Sequence, residues 1–242
     1  MQVFHDCRED SAALYRQHNI RVNFVFDTQA AHQLICLKKG IPPYQASLRE
    51  LLQTYLGITV KGLDEGRSIL EKDSFAFSRR PVDFSLLLYA ALGVKHLVQL
   101  ALAMSCHIDP EEVIKASEEF TMYRHLNEGF TNPNDMKKIG TVLEGLVVVR
   151  TPEQIIFKLN TNATGIVCAP STLKRFQDVN FGDVVTVSVV GESAGGKYLY
   201  LDRHDGVIDY ADKNRPRHRY NTSMKLREDS RADPLLLAHL DE

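Results

Sequence analysis

Cysteine is scarce and poorly placed for chemistry. Its four copies, Cys7, Cys36, Cys106 and Cys168, stand far apart with no CxxC pair among them. That pattern argues against a zinc site and a small disulfide framework, and it favours a reducing compartment. Excess charge of one sign is also missing. The formal net charge is −2, so no global basic field announces nucleic acid, and any basic surface must be local. No apolar run approaches the roughly 18 residues that suggest a membrane span. The N-terminus shows neither a basic segment nor an apolar one after it, so no signal peptide is visible. No internal repeat is present. What remains is an ordinary soluble mixture, 44% apolar and 25% charged over 242 residues, enough for one large or two small units with a buried core. A cytoplasmic location is expected, with the nucleus as the alternative, and no membrane partner.

The pattern divides the chain near residue 139. Before it, short strands alternate with helices. QVFH opens as a strand, and DCREDSAALYRQHNI follows as a helix, with Asp6 and Glu9 spaced as a capping box. NFVFD is a second buried strand, and TQAAHQLICL is a helix capped by Asp27 or Thr28. SLRELLQTYLGI is strongly amphipathic and stops near Gly57. Residues 82–104 read as one long apolar helix, and Asp109-Pro110 begins a polar one. After residue 139 the period falls to 2. EGLVVVR, QIIFKL, TGIVCA, DVVTVSVV and KYLYLDR are candidate strands, with a helical turn at STLKRF, and five short strands of this kind suggest a small β-barrel or sandwich. Between Lys213 and Arg227 stand six basic residues and no acid.

The phrase HDCREDSAALYRQHNIRVNFVFDTQAAH resembles the ribonuclease D-like 3′–5′ exonucleases of the four-carboxylate superfamily. The likeness is greatest to the subgroup of Egalitarian and the exonuclease-domain proteins of the piRNA pathway. SLRELLQTYLGI, SRRP and YAALGV continue the family order. The resemblance covers residues 1 to about 105, and the β-rich part is only faintly similar to an OB-type barrel. An α/β architecture is therefore expected. Residues 1–107 form the C-terminal part of a ribonuclease H-like exonuclease domain, and 108–138 a helical linker. Residues 139–204 form a small β-barrel or OB-like domain, and 205–242 a basic, disordered tail.

Such enzymes hold two divalent metals on carboxylates that activate water and stabilise the leaving oxygen. The resemblance places Asp10 on the second-motif aspartate and Tyr89 on the third-motif tyrosine that orients water. It places Gly93, one helical turn after Tyr89, where the third-motif aspartate binds metal. The first-motif Asp-x-Glu belongs on a strand upstream of Met1 that this chain does not have. One remaining carboxylate cannot hold a pair of Mg²⁺ ions, which need several oxygen ligands each. Asp83 and His96 lie near but not at the required position. No cofactor is expected, unless Mg²⁺ or Mn²⁺ serves an active enzyme. Without the upstream strands, QVFH and NFVF would leave an open edge. The expectation is a chain that folds poorly alone or is completed by a partner.

Each candidate also has a plain reading. Asp10 suits the first turn of any helix. Tyr89 can pack in a core with its hydroxyl satisfied, and His5 reads as a hydrogen-bonded structural residue. Lys213, Arg215, Arg217, Arg219 and Tyr220 have phosphate-binding and stacking character, yet basic tails are often only solvated. Tyr198 and Tyr200 share one face of a strand and suit either base stacking or half-burial. Arg79 and Arg80 suit a nucleic-acid groove or an exposed loop. The leading expectation is an inactive exonuclease-fold adaptor that binds RNA, works with ribonucleoprotein partners and can pair as a homodimer. The alternatives are an active metal-dependent 3′–5′ exonuclease and a protein-binding scaffold without RNA affinity.

Overall fold

The alternating strands and helices predicted before residue 107 take the following order in the computed structural model. Strand β1 (Gln2–Phe4) leads to helix α1 (Arg8–His18), strand β2 (Val25–Asp27) and helix α2 (Thr28–Lys38). Helices α3 (Leu48–Leu56), α4 (Leu63–Lys72), α5 (Phe84–Lys95), α6 (Leu97–Ser105) and α7 (Pro110–Met122) follow. The structure describes residues 1–60, 63–73, 75–130, 132, 134–161 and 163–205, without the side chains of 63–65, 67 and 71. Residues 206–242, which hold nearly all of the expected basic tail, lie outside the described residues.

β1 and β2 pair in parallel, Val3 opposite Phe26, as a two-stranded sheet. So small a sheet is marginal by itself, and helices supply the missing cover. Phe26, Ala31, Ile35, Leu51, Leu52, Leu100, Ala101 and Met104 make one buried cluster with Ile108 and Val113. Residues 108–138, read from sequence as a helical linker, contain the expected helix, and α7 is part of this core, packed against β2 and α2. Local signals decide the helix ends. Ser47 and Glu50 complete a capping box on α3, Gly57 ends it in the left-handed conformation, and Asp109 caps α7 with Pro110 at its first position.

The long apolar helix expected over 82–104 is broken at His96 into α5 and α6. Taken together, Phe84–Ser105 is long and apolar enough, by length and composition, to cross a bilayer, which corrects the count of apolar runs made from sequence. Leu97, Leu100, Ala101 and Met104 of α6 are buried, which favours a core helix over a span. α5 is different, because Phe84, Leu87, Val94 and, beyond it, Val98 and Leu102 face outward.

The period-2 region forms β3 (Val142–Arg150), β4 (Ile155–Lys158), β5 (Thr164–Val167), α8 (Pro170–Leu173), β6 (Val184–Glu192) and β7 (Tyr198–Arg203). These strands close a barrel in the order β3-β4-β5-β7-β6, with β5 and β7 parallel and the other neighbours antiparallel. The five-stranded Greek-key barrel of the OB type has this order. Its interior is filled by Leu143, Val147, Ile155, Phe157, Val167, Val187, Val189, Leu199 and Leu201, closed at one end by Phe176. The register shift in β3 between Val147 and Val149 marks a bulge. Leu146 and Val148 then pack outside the barrel with Ala12, Tyr123 and Leu126, joined by Ile156 and Val184. That second apolar cluster fixes the barrel to α1 and to the 3-10 turn Tyr123–His125.

Candidate functional site

At the start of α1 the chain turns around one carboxylate. Asp27 ends β2, is fully buried and caps α2. Its Oδ1 accepts from Asp6 N at 3.0 Å, Gln29 N at 2.8 Å and Ala30 N at 3.4 Å, and its Oδ2 accepts from Cys7 N at 2.6 Å. From α7, Ser117 Oγ accepts the Asp27 N–H at 3.0 Å and donates to Val113 O at 2.7 Å. Asp27 is thus a knot joining β1, β2, α2 and α7.

Asp6 does not cap α1 as its spacing with Glu9 predicts. It adopts a positive φ of 57°, and Cys7 occupies the cap position without a side-chain bond. The turn aims the Asp6 carboxylate at Arg8 Nε (2.5 Å), Gln45 Nε2 (2.9 Å) and Lys158 Nζ (3.0 Å). Burial pushes its carboxyl up, but the Arg8 and Lys158 cations outweigh it and hold it at about 2. Arg8 is itself buried, bonds Gln45 Oε1 at 2.8 Å and lies 4.2 Å over the Phe120 ring. Glu9 accepts instead from the Tyr123 hydroxyl at 2.8 Å. His5 bonds Thr28 Oγ1 through Nδ1 at 2.9 Å, and burial lowers its pKa against the opposing pull of Asp27 and Asp6.

Asp10 lies in the first turn of α1 with its side chain reaching solvent. Partial burial, followed by the Asp6 and Asp27 carboxylates, pushes its carboxyl upward against the pull of Lys158. Tyr89 and Gly93 stand on α5, which packs on α4 and α6. Tyr89 is half-buried against α4. A Cβ at Gly66 would lie 2.3 Å from the Tyr89 Cβ, so only glycine admits this approach. Among the described residues, no hydrogen bond or ion pair joins Tyr89 to Asp10. At Gly93 an added Cβ would meet nothing within 4 Å, so the position has room for a side chain. Asp83 caps α5 through Ser85 N, and His96 bonds Gln99 at 2.9 Å, so both are engaged locally.

These donors do not fit a divalent pair. Glycine offers no side-chain oxygen, and no group of three or more His, Cys, Asp or Glu among the described residues is arranged to hold a metal ion. A positive charge is already present, because Lys158 of β4 reaches Asp6 at 3.0 Å and Glu9 at 3.7 Å. Gly93→Ala should therefore stabilise the protein by about 1 kcal/mol, the helix-propensity gap between the two residues. Urea denaturation checks this, and a loss of stability would mean that the position is packed.

Residues 1–109 match the model of the 3′–5′ exonuclease family. This segment is similar to that family over about 45% of the chain, 109 of its 242 residues. The exonuclease-family segment is shared with curated relatives. The piRNA biogenesis protein EXD1 of Bombyx mori is 30% identical over 131 residues, 49% of this chain and 40% of that protein. Its human namesake is 34% identical over 110 residues, 43% of this chain and 21% of that one. The aligned part thus spans less than half of each relative's length. The solution structure of GSP13 from Bacillus subtilis aligns at 17% identity, with a TM-score of 0.28, over 38% of this chain and 73% of that one. That likeness is too low to argue from.

The barrel is bound to the exonuclease-family segment through groups that the sequence did not advertise. Tyr123 is fully buried, and its hydroxyl also accepts from Asn160 N. Asn160 sits at a positive φ of 56° and sends its amide to Tyr123 O (3.1 Å) and Leu126 O (2.8 Å). Arg16 bonds Asn160 O at 3.1 Å. Asn127, at φ 57°, clamps Glu144 through both its amide and its oxygen. Two asparagines at positive φ, where that residue type is enriched, were the available signal.

Of the nucleic-acid candidates, Arg79 pairs with Asp73 at 2.7 Å, and Arg80 bonds the carbonyls of Phe77 and Arg79. Both are exposed, on the loop before α5. Lys213, Arg215, Arg217, Arg219 and Tyr220 lie outside the described residues. Tyr198 and Tyr200 alternate with the core residues Leu199 and Leu201 and so face outward together.

Proposed function

We propose that this chain is a catalytically inactive exonuclease-fold protein that binds RNA and serves as an adaptor in a cytoplasmic ribonucleoprotein complex. The process is small-RNA (piRNA) processing or mRNA transport. The observation that carries this reading is Gly93: the third-motif position holds no ligand, although the space beside it is open. A two-metal reaction needs that oxygen both to place the nucleophile and to offset charge on the leaving group, and loss of each costs several decades of rate. The match of residues 1–109 to the 3′–5′ exonuclease family and the piRNA biogenesis proteins among the relatives support the setting. RNA, protein partners and a second copy of the chain are the proposed associates, and no resident metal is required.

The test uses a 5′-labelled single-stranded RNA of about 20 nucleotides with the full chain and Mn²⁺. No ladder of shortened products is expected. Without added metal, fluorescence anisotropy should report binding that weakens steeply between low and moderate salt, as release of counterions requires. A processive ladder would restore the enzyme, and absence of RNA affinity at low salt would leave only a protein scaffold.

A further inference from the structure

We propose that the outer face of the barrel across β5 and β7, with the cleft at its end, is a binding site for single-stranded RNA. The inference rests on the RNA-binding reading above and assigns that binding to a place.

In OB-type barrels the outer face of the second and third strands, with the loops between strands one and two and between strands four and five, takes oligonucleotides. Those strands here are β4 and β5. The β4 side is occupied: Ile156 packs on the cluster of Ala12, Tyr123 and Leu126, and Lys158 is held by Asp6 and Glu9. Docking of the exonuclease-family segment thus closes half of the usual surface and leaves β5 and its parallel neighbour β7.

That remaining half carries the groups that nucleotides need. Tyr200 is 42% exposed and pairs in register with Ile166 on one side and Gly191 on the other. Glycine at 191 leaves that flank of the ring uncovered, because a Cβ there would already touch the ring at 3.5 Å. Tyr198 lies one pair further along, opposite Thr164, with Lys197 Nζ 5.5 Å from its ring centre. Exposed aromatic rings on a barrel face stack bases without strong sequence preference.

Just past the end of β5, two residues after Ile166, Cys168 lines a cleft of about 490 Å³. Pro152 and Glu153, from the turn between β3 and β4, line it together with Pro170, Leu173 and Lys174. Arg150 sits at its edge, with Nε bonded to Val179 O. Two cations against one carboxylate favour a phosphate, and no described carboxylate pairs with Lys174. The proline and leucine walls suit the flat faces of a base. A strand that stacks on Tyr200 can therefore pass its next nucleotides over Ile166 into this cleft. A peptide would use the apolar walls but would leave the cations without a role.

The experiment is anisotropy of a fluorescent 12-nucleotide oligouridylate with the full chain, comparing wild type, Tyr200→Ala, Tyr200→Phe and Lys174→Ala. Tyr200→Ala should weaken binding roughly tenfold, while Tyr200→Phe, which keeps the ring, stays near wild type. Lys174→Ala should lower the slope of log affinity against log salt by about 0.7, the value for one phosphate contact on a single strand. Unchanged thermal melting of the variants excludes unfolding as the cause. Wild-type binding that these variants leave intact would overturn the site while the adaptor reading stands. No binding by the wild type would overturn both, and displacement by a neutral proline-rich peptide but not by RNA would assign the cleft to peptides.

Discussion

Asp27→Ala should destabilise the fold by about 4 kcal/mol or more. The buried carboxylate accepts four backbone N–H groups, from Asp6, Cys7, Gln29 and Ala30. Alanine leaves all four without a partner in a place water does not reach. Each orphaned donor costs about 1–3 kcal/mol, against a total stability of about 5–15 kcal/mol for a typical domain. Asp27→Asn keeps one acceptor oxygen and should lose about half as much, because the cap on α2 and the Cys7 bond lie on different oxygens. Urea titration followed by circular dichroism measures both variants. A loss below about 1 kcal/mol for the alanine variant would show that water replaces the carboxylate, contrary to its complete burial.

The second large effect concerns the cations around Asp6. Arg8→Met removes a buried guanidinium from beside a nearly buried carboxylate, and breaking such a pair costs about 3–5 kcal/mol. Lys158 remains to offset part of this, so the lower figure is expected. The same pair makes the protein acid-sensitive. The folded Asp6 carboxyl stands at about 2 against an ordinary 3.8, so its folded pKa is depressed. Its contribution is complete above about pH 4 and is lost as pH falls toward 2. It amounts to about 2 kcal/mol, from 1.4 kcal/mol per pKa unit. Melting temperatures of the wild type should drop between pH 4 and 2.5, and Arg8→Met should show a shallower drop. Equal acid slopes in the two proteins would place the sensitivity elsewhere, for example at other paired carboxylates.

These sites differ in how far they could be read in advance. Capping chemistry is local, so Asp27 as the start of α2, Asp109-Pro110 at α7 and Gly57 at the end of α3 were legible from a few neighbouring residues. The same rule misplaced Asp6. Its spacing to Glu9 satisfies a capping box, but partners 39 to 152 positions away, Gln45, Tyr123 and Lys158 among them, draw both carboxylates elsewhere. Likewise the uninterrupted apolar pattern of 82–104 gave no sign of the break at His96, since periodicity does not register a single irregular turn. The polar look of residues 108–120 suggested a helix serving as a linker. Yet a helix needs only a narrow buried stripe, here Val113 and Ser117, to be part of a core.

The amino-acid sequence alone determined most of the local elements, the five strands of the barrel, the likeness of the first hundred or so residues to 3′–5′ exonucleases and the glycine at position 93, because each is carried by residues adjacent in the chain or by an ordered motif. The tertiary structure alone decided that β4 lies against α1 and brings Lys158 to Asp6 and Glu9 at its start. It also decided that Tyr123, Asn127 and Asn160 bind barrel to helices, and that Tyr200 of β7 stays exposed. Those outcomes depend on which surfaces of distant segments complement one another, and no spacing within a single segment encodes that.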